Sequence, residues 1–367
     1  MLKFSIVGAL AGALLAGSAL ATELKYSLFM APRVIEGRLM EEFGKELAAK
    51  TDGRVTIRMF AGGQLFSAPA TLNGIRDGAV DGGFIVAPLT MAELKHVNIL
   101  SDMVAYQLDP LVTAAAANET LMINCEGCRE DFDKHNVVML GGHATTPWKL
   151  LCAKPVASLA DLQGRKARII GGAATRLVDA LGMVGVTLPV SEIAPALAGG
   201  QIDCAVGPVN WLQNYSLWDS AKTVVDIDLG ISGGIGYFVF NKDSMAELLA
   251  EDRATFVDLV PTYIAKATQG YIDEDATARA AAEERGVTFV EPSADIVAAL
   301  EDFRETDLPN IVADAAARGV ENPKEIMDEF MATYETWEKR FAGTDRSPET
   351  AARLMQEHIL SVAPTGL

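Results

Sequence analysis

The chain has 367 residues, and its 49 acidic and 31 basic side chains give a formal net charge of −18 at pH 7. A chain this acidic is repelled by nucleic acids and by anionic membrane surfaces, so we expect neither as a partner. An anionic ligand would have to be held by local positive charge, against the field of the whole molecule.

The first 21 residues have the pattern of a cleavable secretory signal. Lys3 precedes an apolar run over residues 6–20, and Ala19 and Ala21 supply the small residues of a cleavage site before Thr22. The run is short for a membrane span, and no Cys follows it that would carry a lipid anchor. We predict cleavage after Ala21, export to the periplasm and no membrane anchoring.

Strands and helices alternate in the next part of the chain. Periodicity predicts strands over 24–30, 54–60 and 81–86, and helices over 34–50 and 71–76. Residues 91–117 are apolar without a clear period and are assigned to helical segments, followed by a helix over 119–134 and a strand over 137–141. Such alternation is typical of a parallel α/β sheet.

Residues 161–208 predict a second α/β unit. Its strands are expected over 166–170, 186–188 and 202–206, with helices over 173–181 and 191–198. The pattern Ile/Leu-x-x-Gly-x-x-Asp at 75–81 recurs at 197–203. Helix-to-strand joints use Gly and Asp generally, but the recurrence in two similar units favours two related lobes that face a cleft.

The remaining segments set the predicted domain limits. Residues 142–148 are assigned to a crossing into a strand over 149–154, and a strand over 235–241 crosses back. Beyond 243 the chain is expected to be mostly helical, with one strand over 287–291. We therefore predict lobe one over 22–143 with a return segment at about 235–275, lobe two over 144–234, and a helical C-terminal region over 276–367 that braces both lobes.

Four cysteines in an exported chain indicate disulfides, and four allow three connectivities. Cys125 and Cys128 lie in the helix predicted over 119–134, where a bridge at this spacing is awkward. Cys152 and Cys204 both lie in predicted strands of lobe two. We expect any long-range disulfide to join this second pair.

The motifs of the common enzyme classes are missing from the sequence. It contains no Gly-x-Ser-x-Gly elbow, Walker loop, complete dinucleotide fingerprint or His-Glu-x-x-His motif. The four histidines are scattered, and only His143 falls in a predicted crossing. We expect no catalysis, no metal and no cofactor.

Arg168 stands out because it lies inside a predicted strand of small and apolar residues. A buried guanidinium without an anion is unfavourable by several kcal/mol. The anion is either a ligand or an internal carboxylate such as Glu192, and the residues alone leave both open. After Pro208, Asn210, Trp211 and Tyr215 cluster in the sequence.

Four blocks of the chain, in order and spacing, resemble the DctP-type substrate-binding proteins of tripartite ATP-independent periplasmic (TRAP) transporters. They are TDGRVTIRMFAGGQL, IRDGAVDGGF, KPVASLADLQGRKARI and EIAPALAGGQIDCAVGP. The resemblance covers nearly the whole chain. It implies a two-lobed periplasmic binding protein of the α/β class, type II-like, with Rossmann-like lobes around a cleft and long C-terminal bracing helices.

The resemblance also assigns site residues. It implies that Arg168 pairs with the ligand carboxylate, that Gln64 lies in the lobe-one loop near the cleft, and that Glu192 lies in the helix after the arginine strand. Trp148 lies near a position that in the sialic-acid-type members holds a second arginine. Gly207 occupies a position where some of those members have an Asn that contacts the ligand. We therefore expect a compact monoacid with an apolar or aromatic part, bound by Arg168 and lined by Trp148, Gln64, Trp211, Asn210 and Glu192.

The function implied is that of a monomeric solute receptor. It would bind a small carboxylate or sulfonate and deliver it to the small DctQ-type and large DctM-type membrane subunits of a TRAP transporter. A receptor for another importer or a sensor is a second possibility of the same kind. From a different class, the alternative is a periplasmic α/β enzyme.

Overall fold

A computed structural model describes residues 21–363, so all but the last residue of the predicted signal lies outside the described residues. Within that range no helix is both long enough and apolar enough to span a bilayer. The strands in it are β1 (Thr22–Ser27), β2 (Val55–Phe60), β3 (Gly82–Ile85), β4 (Val137–His143), β5 (Lys149–Cys152), β6 (Lys166–Ile169), β7 (Val184–Thr187), β8 (Cys204–Gly207), β9 (Thr223–Val225), β10 (Ile235–Asn241) and β11 (Thr288–Val290).

Helices cover the two sheets and form most of the C-terminal part. They are α1 (Ile35–Lys50), α2 (Thr71–Arg76), α3 (Asn98–Asp102), α4 (Pro110–Glu119), α5 (Glu126–Asp133), α6 (Leu159–Leu162), α7 (Gly171–Ala180), α8 (Ile193–Ala198), α9 (Trp211–Asn214), α10 (Lys242–Glu247), α11 (Ala250–Glu284), α12 (Ala294–Thr306), α13 (Leu308–Ala317), α14 (Pro323–Phe341) and α15 (Pro348–Met355).

The strands form two sheets, which we call with their packed helices lobe one and lobe two. The sheet of lobe one has the order β2-β1-β3-β10-β4, and that of lobe two the order β11-β9-β5-β8-β6-β7. In lobe one only β10 is antiparallel to its neighbours, and in lobe two only β5 is. This confirms the predicted α/β class with two lobes, and it brings most strand carboxyl ends of each sheet to one edge.

Two crossings join these edges. Residues 144–148 run from β4 into β5, and residues 226–234 run from β9 into β10. The crossings are hydrogen-bonded to each other, with the Thr145 amide donating to Ser232 at 3.0 Å and the Trp148 amide to Gly230 at 2.8 Å. Because each crossing is short, the carboxyl edges of the two sheets face each other, which is where ligands bind in open α/β sheets.

Helix α11 braces both lobes. Its Tyr263 and Ile264 are fully buried in the core of lobe one, while Ala278 and Ala282 are fully buried in lobe two. The helix is continuous across residues 275 and 276, where we placed the start of the bracing region, and β11 pairs with β9 inside the second sheet. The lobe limits themselves stay a prediction.

The two disulfides show one correct and one wrong expectation. Cys152 and Cys204 lie opposite each other on β5 and β8 and are bridged, as predicted. Cys125 and Cys128 are also bridged, although we judged a bridge at this spacing awkward in a helix. The predicted helix is interrupted there by a π-helical turn at Thr120–Asn124, and Cys125 has an extended backbone and caps α5. Since Cys125 is not helical, the objection to the bridge does not apply.

Candidate functional site

Arg168 is buried near the carboxyl end of β6, with only 4% of its surface exposed. Strand β6 lies inside the sheet, between β7 and β8, so Arg168 is flanked by Val186 and Ala205. Of the lysines and arginines in residues 21–363, Arg168 alone is buried. The strand alternation therefore places one positive charge in the interior of lobe two.

The guanidinium of Arg168 has few partners of its own. Its Nε donates to the backbone oxygen of Leu188 at 2.9 Å. No carboxylate of the described residues lies within 4 Å of it. Burial lowers the pKa of Arg168 to about 10, against an opposing effect of Tyr215, so the group stays charged at neutral pH.

Glu192, the internal partner that we considered for Arg168, is not used. It is exposed in the 3₁₀ turn Val190–Glu192 that precedes α8. By contrast, every carboxylate buried in residues 21–363 has a basic partner within 4 Å. These pairs are Glu36 with His143, Asp102 with Arg318, Asp131 with His96, Asp252 with Arg54, and Asp307 with Arg176.

An aromatic wall stands beside the guanidinium. The carbon at its centre lies 5.3 Å from the ring centre of Trp211, and the ring of Tyr215 meets Trp211 edge-on at 5.8 Å. Gly207 makes this arrangement possible, because a Cβ there would lie 2.3 Å from the nearest Trp211 ring atom. The predicted neighbours Arg168 and Trp211 are therefore in contact.

Lobe one approaches this wall through the loop after β1. The hydroxyl of Tyr215 lies 3.4 Å from the sulfur of Met30, and Arg33 donates to the backbone oxygen of Asn214 at 2.8 Å. Burial raises the pKa of Tyr215; the nearby Glu36 raises it further and Arg168 lowers it. The interface between the lobes thus lies directly beside Arg168.

Trp148 lies on the other face of the second sheet. It packs with the core that contains Leu150 and Ile169, whereas Trp211 packs with the core that contains Leu151 and Ala205. The half-buried Trp148 borders a small cavity of about 20 Å³ between the lobes. Its other walls are Val86, Pro88, Asn98, Ser101, Asp102, Val104, Ile170, Gly171, Gly172, Ala173, Ala174 and Ser232.

This cavity does not include Arg168. The only charged side chain in its walls is Asp102, which is negative and already bound to Arg318. The charges therefore favour an anion at Arg168 and not in this small cavity. The structure does not bring Trp148 and Trp211 together around one group.

The remaining two predicted residues do not touch Arg168. Asn210 is buried and holds α9 to α11, because its backbone amide donates to Asp275 at 2.7 Å and its side chain to Glu274 at 3.2 Å. Its Oδ1 has no hydrogen-bond partner among the described residues. Gln64 is exposed in the turn after β2, at the facing edge of lobe one.

A buried polar cluster behind the interface was missed from the sequence. Glu36 lies 3.2 Å from Nε2 of His143 and accepts a 2.7 Å hydrogen bond from the hydroxyl of Tyr271. Neither ring nitrogen of His143 makes a hydrogen bond with another described residue. Burial raises the pKa of Glu36, but His143 and Tyr271 together outweigh it and lower the pKa.

The signal for this cluster was present in α1. The helix buries Met40, Phe43 and Leu47 at helical spacing, and Glu36 continues that stripe one turn earlier. A carboxylate on an otherwise apolar stripe needs a partner inside the fold. His143 in the predicted crossing was the available base.

Comparison with protein families gives a match over most of the chain. The model of the DctP family, described as bacterial extracellular solute-binding protein, family 7, matches residues 27–313. A solute-binding protein of Roseobacter denitrificans is 25% identical over 257 residues, which cover 68% of this chain and 75% of that protein. The protein named outer membrane transporter protein TsaT of Comamonas testosteroni is 23% identical over 300 residues, 80% of this chain and 86% of that protein.

Solved structures show the same fold. A TRAP solute-binding protein of Rhodoferax ferrireducens in complex with benzoate has a TM-score of 0.74 and 22% identity, covering 88% of this chain and all of that one. A TRAP periplasmic solute-binding protein of Bordetella bronchiseptica with bound mandelate has a TM-score of 0.72 and 23% identity, covering 86% of this chain and 99% of that one. At these identities the likeness establishes the architecture.

Proposed function

Because the chain belongs to the DctP family of bacterial extracellular solute-binding proteins, we propose that it binds a small organic acid anion between its two lobes and delivers it to a TRAP permease. The family consists of periplasmic solute receptors, which bind a substrate and do not transform it. The enzyme that we considered as an alternative is thereby set aside.

The single observation that supports this function best is the unpaired charge of Arg168. The five buried carboxylates of the described chain each have a base beside them, and Arg168 is the buried ion without a counter-ion. A guanidinium binds a carboxylate through two parallel, charge-assisted hydrogen bonds. An acid anion on the two Nη atoms of Arg168 would supply the counter-ion that this buried group lacks.

The location of Arg168 supports a receptor mechanism. A ligand closes a two-lobed protein only if it binds the closed form more tightly than the open one. Arg168 belongs to lobe two, while Met30 and Arg33 reach the same region from lobe one. An anion held at Arg168 would contact both lobes and so favour closure.

The partners and compartment follow from the family. We propose that the protein acts as a monomer in the periplasm after cleavage behind Ala21, and that its closed form docks on the small DctQ-type and large DctM-type subunits. The relatives with benzoate and mandelate bind carboxylic acids. This supports an acid as the ligand here.

A calorimetric titration tests the proposal. The chain without residues 1–21 is first screened by thermal shift against a library of carboxylic and sulfonic acids, since a ligand that binds the folded state raises the melting temperature. The best ligand is then titrated into wild type and Arg168→Lys. The substitution keeps the charge but loses the planar fork, so we expect affinity to fall at least about tenfold.

The matched control is Lys166→Ala, which removes an exposed positive charge two residues earlier on the same strand. It should bind within about twofold of wild type, because exposed charges contribute little. Equal affinities of wild type and Arg168→Lys for the ligand would refute the assignment of Arg168. A library without any binder would refute the acid-receptor function.

A further inference from the structure

The wall beside Arg168 depends on a glycine. Trp211 lies against the end of β8 so closely that a Cβ at Gly207 would lie 2.3 and 2.4 Å from two ring carbons of its indole. Contacts of this length do not occur, and a rigid ring cannot bend out of the way. Any other residue at 207 would displace the indole from its position beside the guanidinium of Arg168.

The other groups beside the guanidinium are also apolar or weakly polar. Tyr215 meets the indole edge-on, and the hydrogen-bond acceptor within reach of its hydroxyl is the thioether of Met30. Sulfur in a thioether is a weak acceptor, so this hydroxyl is free to donate to a better one. Within residues 21–363 the interior offers no second lysine or arginine for a second acid group.

We infer that the Gly207–Trp211 pair makes the site selective for monocarboxylates whose body next to the acid group is flat and apolar, as in an aromatic acid. This rests on the proposed function and specifies its ligand class. The carboxylate binds the Nη atoms of Arg168 and accepts from the Tyr215 hydroxyl, while the flat body lies against Trp211.

The selectivity has a physical cause. A flat ring gains contact with the indole face that a puckered ring of the same size cannot match. A sugar acid would bury hydroxyl groups against an indole and a thioether, which are poor hydrogen-bond acceptors, and burying poorly paired polar groups is unfavourable. Gly207 therefore affects ligand selectivity indirectly, because it leaves room for the indole of Trp211.

Three acids of graded shape and polarity test this. We would titrate benzoate, cyclohexanecarboxylate and glucuronate into wild type, Gly207→Ala and Trp211→Leu. Wild type should bind benzoate at least about threefold more tightly than cyclohexanecarboxylate, and at least about tenfold more tightly than glucuronate. Both variants should weaken benzoate binding and bring the ratio of benzoate to cyclohexanecarboxylate affinity close to one.

The matched control is Trp218→Leu. Trp218 is another half-buried tryptophan of lobe two that carries an arginine over its ring, with Arg285 at 4.3 Å, but it does not touch Arg168. Its variant should keep the wild-type ratios. Near-ultraviolet circular dichroism checks that each variant is folded, and Trp211→Leu decides the matter if Gly207→Ala does not fold.

The outcomes separate this inference from the function on which it rests. If wild type shows no preference for benzoate, or Trp211→Leu keeps the preference, the inference fails while an Arg168-dependent acid receptor remains. If no acid of the panel or library binds in an Arg168-dependent way, both fail. A loss of the preference in Trp211→Leu but not in Trp218→Leu supports the inference.

Discussion

Two arginines of lobe two, eight residues apart, differ in what neutralises them. Arg176 on α7 binds both oxygens of Asp307, at 2.7 and 3.0 Å, and also contacts Asp314. Arg168 on β6 has a backbone oxygen and an indole beside it, and no carboxylate of the described chain within 4 Å. Burial lowers the pKa of both groups, but the carboxylates reverse the effect for Arg176 alone.

A structural charge and a binding charge differ in where the counter-ion comes from. Arg176 ties α7 to the start of α13 with a counter-ion supplied by the fold. Arg168 is the more deeply buried of the two, yet it is left for an anion from outside. The residue type is the same, and the more buried arginine is the one without a carboxylate, so the location of the counter-ion decides the role.

The largest effect should come from breaking the internal pair. In Arg176→Ala, Asp307 remains buried without its partner, and breaking a buried pair in this way is strongly destabilising. We expect the free energy of unfolding in urea to fall by about 3 kcal/mol, with ligand affinity retained. Lys324→Ala, which removes one partner of an exposed pair with Asp328, should leave the unfolding midpoint unchanged. A small loss in Arg176→Ala would show that the two arginines are not energetically distinct.

The second effect should come from giving Arg168 a counter-ion of the same kind. Val186 on β7 lies opposite Arg168 on β6, so Val186→Asp places a carboxylate beside the guanidinium. The internal anion competes with the ligand, and we expect ligand affinity to fall at least about tenfold in calorimetry. Val186→Asn is the neutral control of equal size and should retain most of the affinity. Equal losses in both variants would mean that shape rather than charge is responsible.

A smaller effect is expected on the stability of the ligand-free protein when the unpaired charge is removed. Arg168→Met replaces a buried guanidinium by an apolar chain of similar length. The lost hydrogen bond and indole contact are offset by the removed desolvation of the charge, so we expect a free energy of unfolding within about 1 kcal/mol of wild type. A loss as large as that of Arg176→Ala would reassign Arg168 to a structural role.

The burial of Arg168 was predictable because its neighbours on a short strand are small or apolar, and such a strand is expected to lie in the interior. The choice between a ligand and Glu192 was not predictable from residues alone. It depends on a 3₁₀ turn that places Glu192 in solvent. It also depends on the packing of α13 against α7, which pairs the buried Asp307 with Arg176 and not with Arg168. The family resemblance predicted that Arg168 pairs with the ligand, and residue periodicity alone could not predict this.

The grouping of the aromatics was also beyond the sequence. Trp148 and Trp211 were both predicted to line one site with Arg168. Trp148 precedes β5 and packs with the core on one face of the sheet, whereas Trp211 begins α9 and packs with the core on the other face. Both placements depend on how the connections run in the fold, which periodicity does not show. The α/β alternation was visible in periodicity, whereas the π-helical turn before Cys125 leaves no periodic trace.

The smallest effect concerns a carboxylate that mirrors Arg168. Asp275 on α11 accepts from the backbone amide of Asn210, and no lysine or arginine of the described chain lies within 4 Å of it. Burial raises its pKa to about 6, and the hydrogen bond from the backbone amide of Asn210 only partly opposes this. Like Arg168, and unlike Arg176, it is shifted toward its neutral form.

This sign fixes the pH dependence. A carboxyl group whose pKa is higher in the folded than in the unfolded state is bound more tightly to its proton in the folded state, so it stabilises the fold as the pH falls from about 6 toward 4 and weakens it above pH 6.

In Asp275→Asn that contribution is absent. We expect the difference in unfolding free energy between variant and wild type to change by about 1 kcal/mol or less from pH 4 to pH 7, because part of the side chain remains in water. The change should favour the variant at the higher pH, and urea unfolding at four pH values measures it. A difference that favours wild type more strongly as the pH rises would mean that the ionised carboxylate is well satisfied by its amide donors, and that an unpaired charge in this interior is not always shifted toward neutrality.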